Sequence, residues 1–452
     1  MFSSRKTAAP SSGGYNLTKS LRFRSSASAY LSRTPTVASN QTTWTFSSWI
    51  KLGALATGSN QAFFAAGNGS STTYLQAFFD GTSQALSLTA LNSSSVVMQK
   101  ISTAVYRDPA AWYHVVLAYD STQTTSTNRI KIYVNGSQVT SFSTNTDPAS
   151  STTTLVNSAN QHTLSSLNYS SRLNYFDGYQ TEINFIDGQA LTPSSFGSTN
   201  SLTGVWQPAK YTGTYGTNGF YLPFTNITST STLGNDSSGN GNNWTTNNIS
   251  LTTGSTYDSM YDVPTLTSAT VANYAVLNVV APSSYRTLTN GNLRATGNTA
   301  TNSGMSVATM GVSTGKIVWE ETINTVSGSF PGIGCTTAIP SDGNGVNMGS
   351  AGYLGIYYRA NGDIYKNSSS LVGSYTALSA TNVVRFELDV DALTCAIYRN
   401  NTLVVTVTGL TAGTFFPANV QYNGSITDIN FGQQPWVNTP NTGFLALNTY
   451  NL

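Results

Sequence analysis

Four acidic residues are candidates for acid–base chemistry: Glu182, Asp187, Glu320 and Glu321. Hydrolysis of a glycosidic bond needs two carboxyl groups about 5–9.5 Å apart, one on each side of the bond. Glu320 and Glu321 are adjacent in a segment with strand character, so their side chains point to opposite faces and cannot act together. Glu182 and Asp187 flank an apolar strand and are interpreted as residues of the fold. The carboxylates therefore predict a protein without enzymatic activity.

Histidines and cysteines are scarce, with two of each in the chain. His114 lies within the apolar stretch Trp112–Tyr119. His162 lies in a polar region without the spacing of a Ser-His-Asp triad or a zinc site. Cys335 and Cys395 belong to no CxxC pair, and we expect strand thiols rather than a disulfide bridge. These residues predict neither a zinc centre nor a nucleophilic active site.

One loop has the composition that calcium prefers. The segment from Asp236 to Gly241 combines hard oxygen donors with glycines that bend the chain. The twelfth position, where an EF-hand loop has glutamate, is Asn247. Asp and Asn also favour turns of this kind for local hydrogen bonding alone, and that is the favoured interpretation. The alternative is a calcium ion held by Asp236 and Asn240, and no other cofactor is expected.

Aromatic residues beside amide and carboxylate groups form a different kind of candidate site. A sugar ring has one apolar face and a rim of hydroxyl groups, so it needs an aromatic platform next to polar acceptors. The chain has 25 Tyr and 7 Trp. The candidates, which we place at or near loops, are Tyr74, Phe78, Asp80, Tyr169, Asn174 and Tyr175. Packing within a core is the alternative for each aromatic side chain.

Composition limits the remaining function classes. Only 8% of the 452 residues are charged, and the formal net charge is +2. A net charge this small produces only a weak electrostatic field around the protein, which predicts no generic binding to nucleic acid or to an anionic membrane. Apolar residues reach 39% and aromatic residues 11%, which provides packed cores and excludes a disordered chain. No apolar run is long enough for membrane insertion, and the start of the chain lacks the features of a signal peptide, so we expect synthesis in a cytoplasm.

The dominant sequence period is two, which indicates β-strands. Apolar and polar residues alternate along Val383–Asp391 and along Ile130–Val134, as half-buried strands require. The second of these runs into Asn135-Gly136, the strongest short signal for a hairpin. Trp112–Tyr119 is apolar on both faces and predicts a central strand. The fold class is therefore all-β, with two antiparallel β-sandwich domains of jelly-roll type in tandem.

The boundary between the two domains is predicted from a change in composition. Asn226–Ser255 is rich in Ser, Thr, Asn and Gly and has few apolar residues. The last residues contain Phe444 and Leu447 and are too apolar to stay undocked. The predicted division is an N-terminal arm 1–18, a first sandwich 19–225, a linker 226–267, a second sandwich 268–436 and a C-terminal docking tail 437–452.

Several motifs of the first half resemble the laminin-G-like, concanavalin A-type jelly roll. They are Trp44–Ile50, then Trp112–Val116 followed by Arg129–Gly136, and a closing strand and turn at Phe176–Thr192. The resemblance covers about residues 15–200 and implies two antiparallel sheets packed face to face. Domains of this kind commonly bind glycans, often with a calcium ion at the sheet rim. The Glu-x-Asp-x-x-Glu signature of the hydrolytic jelly rolls is absent from this sequence.

Motifs of the second half resemble a SPRY-type sandwich. Gly315–Glu321 is similar to the family's "G-K-x-Y-W-E" strand. Val384–Asp389 followed by Cys395–Asn401 is similar to its "hydrophobic-D … I-x-F-x-x-N-G" hairpin, with Asn401 where glycine is usual. Asn430–Trp436 matches the closing pattern. The resemblance covers about residues 270–436. It implies a module that binds partners through its loops and is not catalytic.

The tandem order and the joint resemble large bacteriophage virion proteins, notably those of marine and cyanobacterial phages. The joint residues concerned are Gly219–Phe224, Asn235–Trp244 and Tyr257–Pro264. The resemblance implies location in a virion, other virion proteins as partners, and a homo-oligomer, by analogy a trimer, with the apolar tail as an assembly contact.

For the protein as a whole, the expected role is a fibre, tail appendage or surface decoration that adheres to host surface polysaccharide. A purely structural capsid decoration without a ligand is one alternative. A polysaccharide depolymerase is the other.

Overall fold

The computed structural model describes residues 14–55, 58–279, 283–298, 302–328, 331–341 and 344–452. Within these ranges the regular structure consists of β-strands and four short 3₁₀ turns. The turns are Ser25–Ala27, Ser126–Asn128, Pro193–Ser195 and Ser231–Gly234. The all-β prediction is confirmed. Most of the predicted arm 1–18 lies outside the described residues, since the description begins at residue 14.

Eighteen strands lie among the described residues before residue 261. They are β1 Ser20–Phe23, β2 Tyr30–Arg33, β3 Thr43–Leu52, β4 Gln61–Ser70, β5 Thr73–Phe79, β6 Ala85–Asn92, β7 Ser95–Val105, β8 Trp112–Asp120, β9 Ile130–Val134, β10 Ser137–Gln138, β11 Phe142–Thr146, β12 Gln161–Leu164, β13 Gly178–Asp187, β14 Gly197–Thr199, β15 Trp206–Pro208, β16 Phe220–Leu222, β17 Thr245–Asn247 and β18 Ser259–Met260.

Fourteen strands follow in the described part of residues 261–452. They are β19 Arg286–Thr289, β20 Arg294–Gly297, β21 Gly304–Val307, β22 Lys316–Thr325, β23 Gly332–Thr336, β24 Gly355–Arg359, β25 Asp363–Lys366, β26 Ser370–Ser374, β27 Val383–Asp389, β28 Thr394–Arg399, β29 Thr402–Val407, β30 Phe416–Gln421, β31 Ile426–Asn430 and β32 Leu445–Ala446.

Two sheets of eight strands form the first sandwich. Sheet 1 has the order β10-β9-β8-β3-β13-β1-β18, with β16 also paired to β13. Sheet 2 has the order β11-β7-β6-β5-β4-β12-β2-β17. Aromatic side chains fill the space between them, and the rings of Phe46 from sheet 1 and Phe64 from sheet 2 stack with centroids 4.5 Å apart. This core leaves the outer faces of both sheets available for other contacts.

The second sandwich is built in the same way from an eight-stranded and a six-stranded sheet. Sheet 3 has the order β19-β20-β31-β22-β27-β28-β29, with β32 beside β22, and sheet 4 has the order β21-β30-β23-β24-β25-β26. Trp319 and Phe386 stack in its core with centroids 4.9 Å apart. Cys335 and Cys395 are free thiols buried in the same core.

The predicted strands correspond closely to observed ones. Val383–Asp391 contains β27, and Trp112–Tyr119 lies in β8, which is central in sheet 1 between β3 and β9. Asn135 and Gly136 have φ values of +48° and +82° and connect β9 to β10. Positive φ at both positions is what the two-residue hairpin turn requires.

The structure differs from the predicted linker 226–267. Strand β17 extends sheet 2 beside β2, and β18 extends sheet 1 beside β1. Trp244 is 3% exposed and packs edge-on against Phe220 with ring centroids 4.8 Å apart. The few apolar residues of this polar segment are thus enough to fix it on the first sandwich. The low apolar content of the segment suggested a free connection that the structure does not contain.

The tail 437–452 docks on its own chain. Strand β32 runs parallel to β22, and Leu447 is buried in the core of the second sandwich. The backbone N–H of Leu447 donates to the carbonyl oxygen of Phe431 at 3.0 Å. Removal of the tail would therefore open the second core, so truncation is not a clean test of an assembly contact.

The two sandwiches meet through buried charges and hydrogen bonds. Lys51 on the outer face of sheet 1 is completely buried, and its Nζ lies 2.8 Å from Asp262 Oδ2. Asp258 lies in the segment that β17 and β18 fix on the first sandwich, and it secures this segment by accepting hydrogen bonds from the guanidinium groups of Arg22 and Arg24 at 2.8–3.1 Å. Asp177 accepts a further one from the backbone N–H of Gly291 at 2.6 Å. Charged residues are rare in this chain, and Lys51, Asp262 and Asp177 are among those that form buried contacts at this joint.

Candidate functional site

The outer face of sheet 2 carries a row of uncharged polar side chains. Successive side chains of a strand point to opposite faces, so Tyr74, Gln76 and Phe78 of β5 share the outer face, while Leu75, Ala77 and Phe79 enter the core. Gln76 is opposite Thr89 of β6, and Thr89 is opposite Gln99 of β7. Amide and hydroxyl groups therefore cross three neighbouring strands in one line.

A loop formed by residues 165–175 makes one wall beside this row. Leu167 and Leu173 pair across the loop and hold it as a narrow turn. The loop lies directly on β4 at Gly67, where any Cβ atom would collide with the carbonyl oxygen of Asn168. The side chain of Asn168 donates from Nδ2 to the carbonyl oxygen of Gly67 at 3.1 Å. Glycine at position 67 thus allows the loop to approach the sheet.

The row and the loop enclose a cavity of about 300 Å³, here called the groove. Tyr74 from β5 and Tyr169 from the loop meet edge to face, with ring centroids 5.7 Å apart and an interplanar angle of 65°. Phe78 is only 7% exposed and contributes an apolar floor. Among the described residues that line the groove, none carries a charge. Its volume lies at the lower end of the range of about 300–1,000 Å³ that is typical of small-molecule sites.

Hydrogen bonding holds the polar side chains of the groove in place. Asn174, in the left-handed region with φ of +58°, donates from Nδ2 to Gln76 Oε1 at 2.7 Å. Gln99 Nε2 lies 3.4 Å from Thr89 Oγ1. Within the described part of the chain, Gln76 Nε2 and Gln99 Oε1 have no hydrogen-bond partner. A ligand in the groove would thus meet one amide donor and one amide acceptor beside two tyrosine rings, which suits a polyhydroxylated neutral molecule.

Four of the six predicted sugar-site residues line the groove: Tyr74, Phe78, Tyr169 and Asn174. Gln76, Thr89 and Gln99, which form the polar row, were not among the residues predicted from the sequence. The alternation along β5 could have indicated Gln76, because it lies between Tyr74 and Phe78 on the same face. The partners on β6 and β7 depend on strand register, which the sequence alone does not define.

Asp80 and Tyr175 are not among the residues that line the groove. Asp80 Oδ1 accepts hydrogen bonds from Ser83 and Thr82 in the turn between β5 and β6, and these bonds lower the pKa of its carboxyl group. Tyr175 packs against Tyr30, with ring centroids 6.3 Å apart. The structure thus gives both residues local roles beside the site rather than in it.

The predicted calcium loop is a hydrogen-bonded turn. Asp236 Oδ1 accepts from the backbone N–H groups of Tyr221 and Ser238, and Oδ2 accepts from Ser238 Oγ and the N–H of Asn242, all at 2.8–2.9 Å. Asn240 donates from Nδ2 to two backbone carbonyl oxygens. Among the described residues no group of three or more His, Cys, Asp or Glu side chains could hold a metal ion. These contacts are those of the turn, and calcium stays an untested alternative.

The carboxylates considered for catalysis are buried in different places, each with its own hydrogen-bond partners. Glu320 accepts hydrogen bonds from the backbone N–H groups of Val437 and Asn438, whereas Glu321 accepts one from Asn419 Nδ2 of sheet 4. They lie on opposite faces of β22, and burial raises the pKa of both carboxyl groups. Asp187 accepts from the backbone N–H of Asn218 at 2.9 Å. None of these carboxylates lines the groove.

Both histidines have structural roles. Trp206 Nε1 donates to His114 Nδ1 at 2.9 Å, so the other ring nitrogen of His114 carries the proton and donates to Ser47 Oγ at 2.9 Å. The backbone N–H of Asn157 donates to His162 Nε2 at 3.0 Å. Burial lowers the pKa of His114 to about 3 and that of His162 to about 4. Both rings are therefore neutral at pH 7.

Glu182 lies where β13 is distorted. The register of β13 against β3 shifts between Thr181 and Asn184, and Glu182 has a φ of +52°. Tyr221 donates to Glu182 Oε2 at 2.8 Å, and Tyr15 lies 2.7 Å from Tyr221, hydroxyl to hydroxyl. Glu182 Oε1 is buried without a partner within the described residues. Burial raises the pKa of Glu182 from 4.5 to about 7, against the hydrogen bonds and the charge of Lys210, which lower it.

We expect Glu182→Gln to remove part of the pH dependence of stability. Between the ordinary pKa of 4.5 and about 7 the folded protein keeps a proton that the unfolded chain releases. Stability due to this group is therefore full below 4.5 and is lost as pH rises to about 7, by up to roughly 3 kcal/mol. Urea unfolding of both proteins across this range measures the difference. A parallel pH dependence in the variant would contradict the assignment.

Comparisons with known proteins give the following similarities. Residues 25–195 match a laminin G family model described as the concanavalin A-like lectin/glucanases superfamily. That superfamily includes lectins, which are not enzymes. The matched region contains strands β2 to β13 and therefore all residues that line the groove. The concanavalin A-like fold predicted for the first half is confirmed.

Solved structures of SPRY domains are also similar to the chain. The SPRY domain of human HERC1 is 19% identical, with a TM-score of 0.27, and the match covers 32% of this chain and 91% of that one. The TRIM65 PSpry domain is 11% identical, with a TM-score of 0.29, and the match covers 35% of this chain and 89% of that one. No curated protein matches the chain. Within the described ranges, no helix has the length and apolar character needed to cross a membrane.

Proposed function

We propose that this protein is a non-enzymatic carbohydrate-binding protein that holds a neutral glycan in the groove on sheet 2. The observation that carries the proposal is the line of Gln76, Thr89 and Gln99 beside the tyrosine pair Tyr74 and Tyr169. Tyrosine rings provide a platform for the apolar face of a sugar ring. The uncharged amides and the hydroxyl provide donors and acceptors for its hydroxyl groups.

The absence of carboxylates from the groove supports binding without hydrolysis. Glycoside hydrolysis needs an acid and a second carboxylate on either side of the bond. The described residues that line the groove include neither Asp nor Glu. Release of reducing ends from a bound polysaccharide would instead favour the depolymerase alternative.

We further propose that the protein is part of a bacteriophage virion and binds carbohydrate of the host surface. The low charge, the abundance of Ser, Thr, Asn and Gly, and the resemblance of the tandem arrangement support this setting. A homo-oligomer, by analogy a trimer, would repeat a weak site and gain avidity without a strong single site. Light scattering tests this step, because a monomer in solution would contradict the avidity argument.

Replacement of Tyr74 or Tyr169 by alanine is expected to weaken glycan binding roughly 30-fold, which corresponds to about 2 kcal/mol for a buried aromatic contact. The measurement is binding of the full chain to an array of host-envelope polysaccharides, with and without EDTA. Tyr450→Ala is the matched control, because Tyr450 is a partly buried tyrosine on the second sandwich. Its binding should equal that of the unchanged protein.

The outcomes of this experiment separate the alternatives. Binding that both tyrosine variants reduce, and that EDTA leaves unchanged, supports a calcium-independent groove. Loss of binding in EDTA would instead support the calcium assignment at Asp236 and Asn240. A correctly assembled protein that binds no polysaccharide would contradict the proposal and favour structural decoration of a virion.

A further inference from the structure

A second cavity lies where the outer face of sheet 1 meets the segment that leads into the second sandwich. Its walls include Trp49 and Trp112 of sheet 1, Trp206 of β15, and Pro264 and Asn273 of the following segment. Its volume is about 350 Å³, within the range of small-molecule sites. The cavity shares no lining residue with the groove, which lies on the other sheet of the first sandwich.

The indole ring of Trp206 is held in a fixed orientation. Its Nε1 donates to His114 Nδ1 at 2.9 Å, and the two rings are 23° from parallel. Gly136 and Gly197 lie so close that a Cβ atom on either would come within 2.6 Å of the indole carbons. Glycine at both positions lets the backbone support the ring. A side chain fixed in advance loses little conformational entropy when a ligand binds.

One hydrogen-bonding group at the wall is exposed and unused. The indole N–H of Trp49 also lacks an acceptor among the described residues, but it is buried and does not face the cavity. Asn135 accepts from the backbone N–H of His114 with Oδ1, and its amide N–H groups make no bond within the described ranges. The other polar side chains of the wall are paired, since Trp112 donates to Asp262 and Asn273 accepts from Lys51. A ligand that offers oxygen acceptors would complete this wall.

The chemistry of the wall selects a neutral ligand. None of the described lining residues is charged, which disfavours phosphates, carboxylates and cations that would lose water without compensation. The partly exposed indole ring of Trp206 provides an apolar face, and the exposed amide of Asn135 provides N–H donors. A pyranose ring has the matching features, an apolar face of C–H groups and a rim of hydroxyl oxygens.

We infer that this cavity is a second carbohydrate site, which takes a neutral pyranose ring against Trp206. This inference rests on the proposed function, because the ligand class is the same. The second site is nevertheless formed by different residues on a different sheet. Two sites on opposite faces of one sandwich would allow a single chain to contact a polysaccharide twice. Repetition of this arrangement in an oligomer would increase avidity further.

The test is a titration of the full chain with neutral hexaoses of gluco, manno and galacto configuration, followed by tryptophan fluorescence and calorimetry. We expect a saturable change in emission on addition of a hexaose. Tyr74→Ala should leave the affinity for the hexaose unchanged, and Trp206→Ala should lower this affinity at least tenfold. Val205→Glu is a second variant, since Val205 lines the cavity and is 56% exposed, so a charge there is tolerated by the fold. Trp436→Phe, a tryptophan substitution outside the cavity, is the control.

The results distinguish the second site from the groove. No change in emission with any hexaose, or a change that persists in both Trp206→Ala and Val205→Glu, would overturn the second site. If thermal unfolding shows that Trp206→Ala is destabilised, the hexaose affinity of Val205→Glu alone decides whether the second site exists. Array binding that Tyr74→Ala abolishes while the hexaose titrations fail would leave the groove as the sole site. Hexaose binding that Trp206→Ala weakens, together with array binding that Tyr74→Ala leaves unchanged, would place binding in the second cavity.

Discussion

Lys51→Met is expected to lower the free energy of unfolding by about 3–5 kcal/mol, because it leaves the buried carboxylate of Asp262 without its counter-charge. Lys51 Nζ donates to Asp262 Oδ2, Asn273 Oδ1 and the carbonyl oxygen of Tyr274, each at 2.8 Å. All three acceptors belong to the segment that leads into the second sandwich. Methionine fills similar space but replaces none of these bonds. Chemical denaturation, followed by circular dichroism and fluorescence, measures the loss.

A double variant and a surface control identify the origin of this loss. Lys51→Met combined with Asp262→Asn removes both charges, while the asparagine oxygen still accepts from Trp112 Nε1 and the N–H of Tyr274. We expect this variant to recover most of the lost stability. Lys316→Met is the control, since Lys316 pairs with Asp389 at 2.9 Å but is 49% exposed, and solvent-exposed ion pairs contribute little to stability. Equal losses for Lys51→Met and Lys316→Met would contradict the argument.

The strand pattern could be predicted from the sequence because alternation is a local property. A strand with one face in a core must place apolar residues at every second position, and β27 does so. The turn at Asn135 and Gly136 is equally local, since two adjacent residues must accept positive φ. Predictions of this kind need no knowledge of what the strand packs against.

The joint could not be predicted in this way. Asp258 and Asp262 lie in a polar stretch, and their partners Arg22, Arg24 and Lys51 are more than 200 positions earlier in the chain. Nothing local distinguishes a buried acid from an exposed one, because burial depends on which surfaces meet. The position of the linker could not be predicted for the same reason, since composition showed few apolar residues but not that Trp244 enters the first core.

Only some of the residues that line the groove could be named from the sequence, for a related reason. Tyr74 and Phe78 are close in sequence and lie on one strand, and Tyr169 and Asn174 belong to one loop. That β5 and this loop lie side by side depends on the pairing of β4 with β5 and on the approach of the loop to β4. This approach requires a residue without a side chain at position 67 of β4.

Gly67→Ala is expected to weaken glycan binding roughly hundredfold or more and to lower stability by about 1–3 kcal/mol, the usual cost of overpacking. The new methyl group would meet the carbonyl oxygen of Asn168, a backbone atom that cannot rotate away. Either β4 or the loop must move, and the loop carries both Tyr169 and Asn174. The variant thus removes two contacts of the groove at once, which is why its effect exceeds that of a single tyrosine substitution.

A matched glycine separates this local displacement from a general effect of added bulk. At Gly373 a Cβ atom would come 3.0 Å from the hydroxyl oxygen of Tyr375, the far end of a side chain that can move aside. Gly373→Ala should therefore bind glycan like the unchanged protein. In Gly67→Ala the binding of hexaose at Trp206 should also persist, because the second cavity shares no wall with the groove. Undiminished array binding by Gly67→Ala would show that the loop is not a wall of the glycan site.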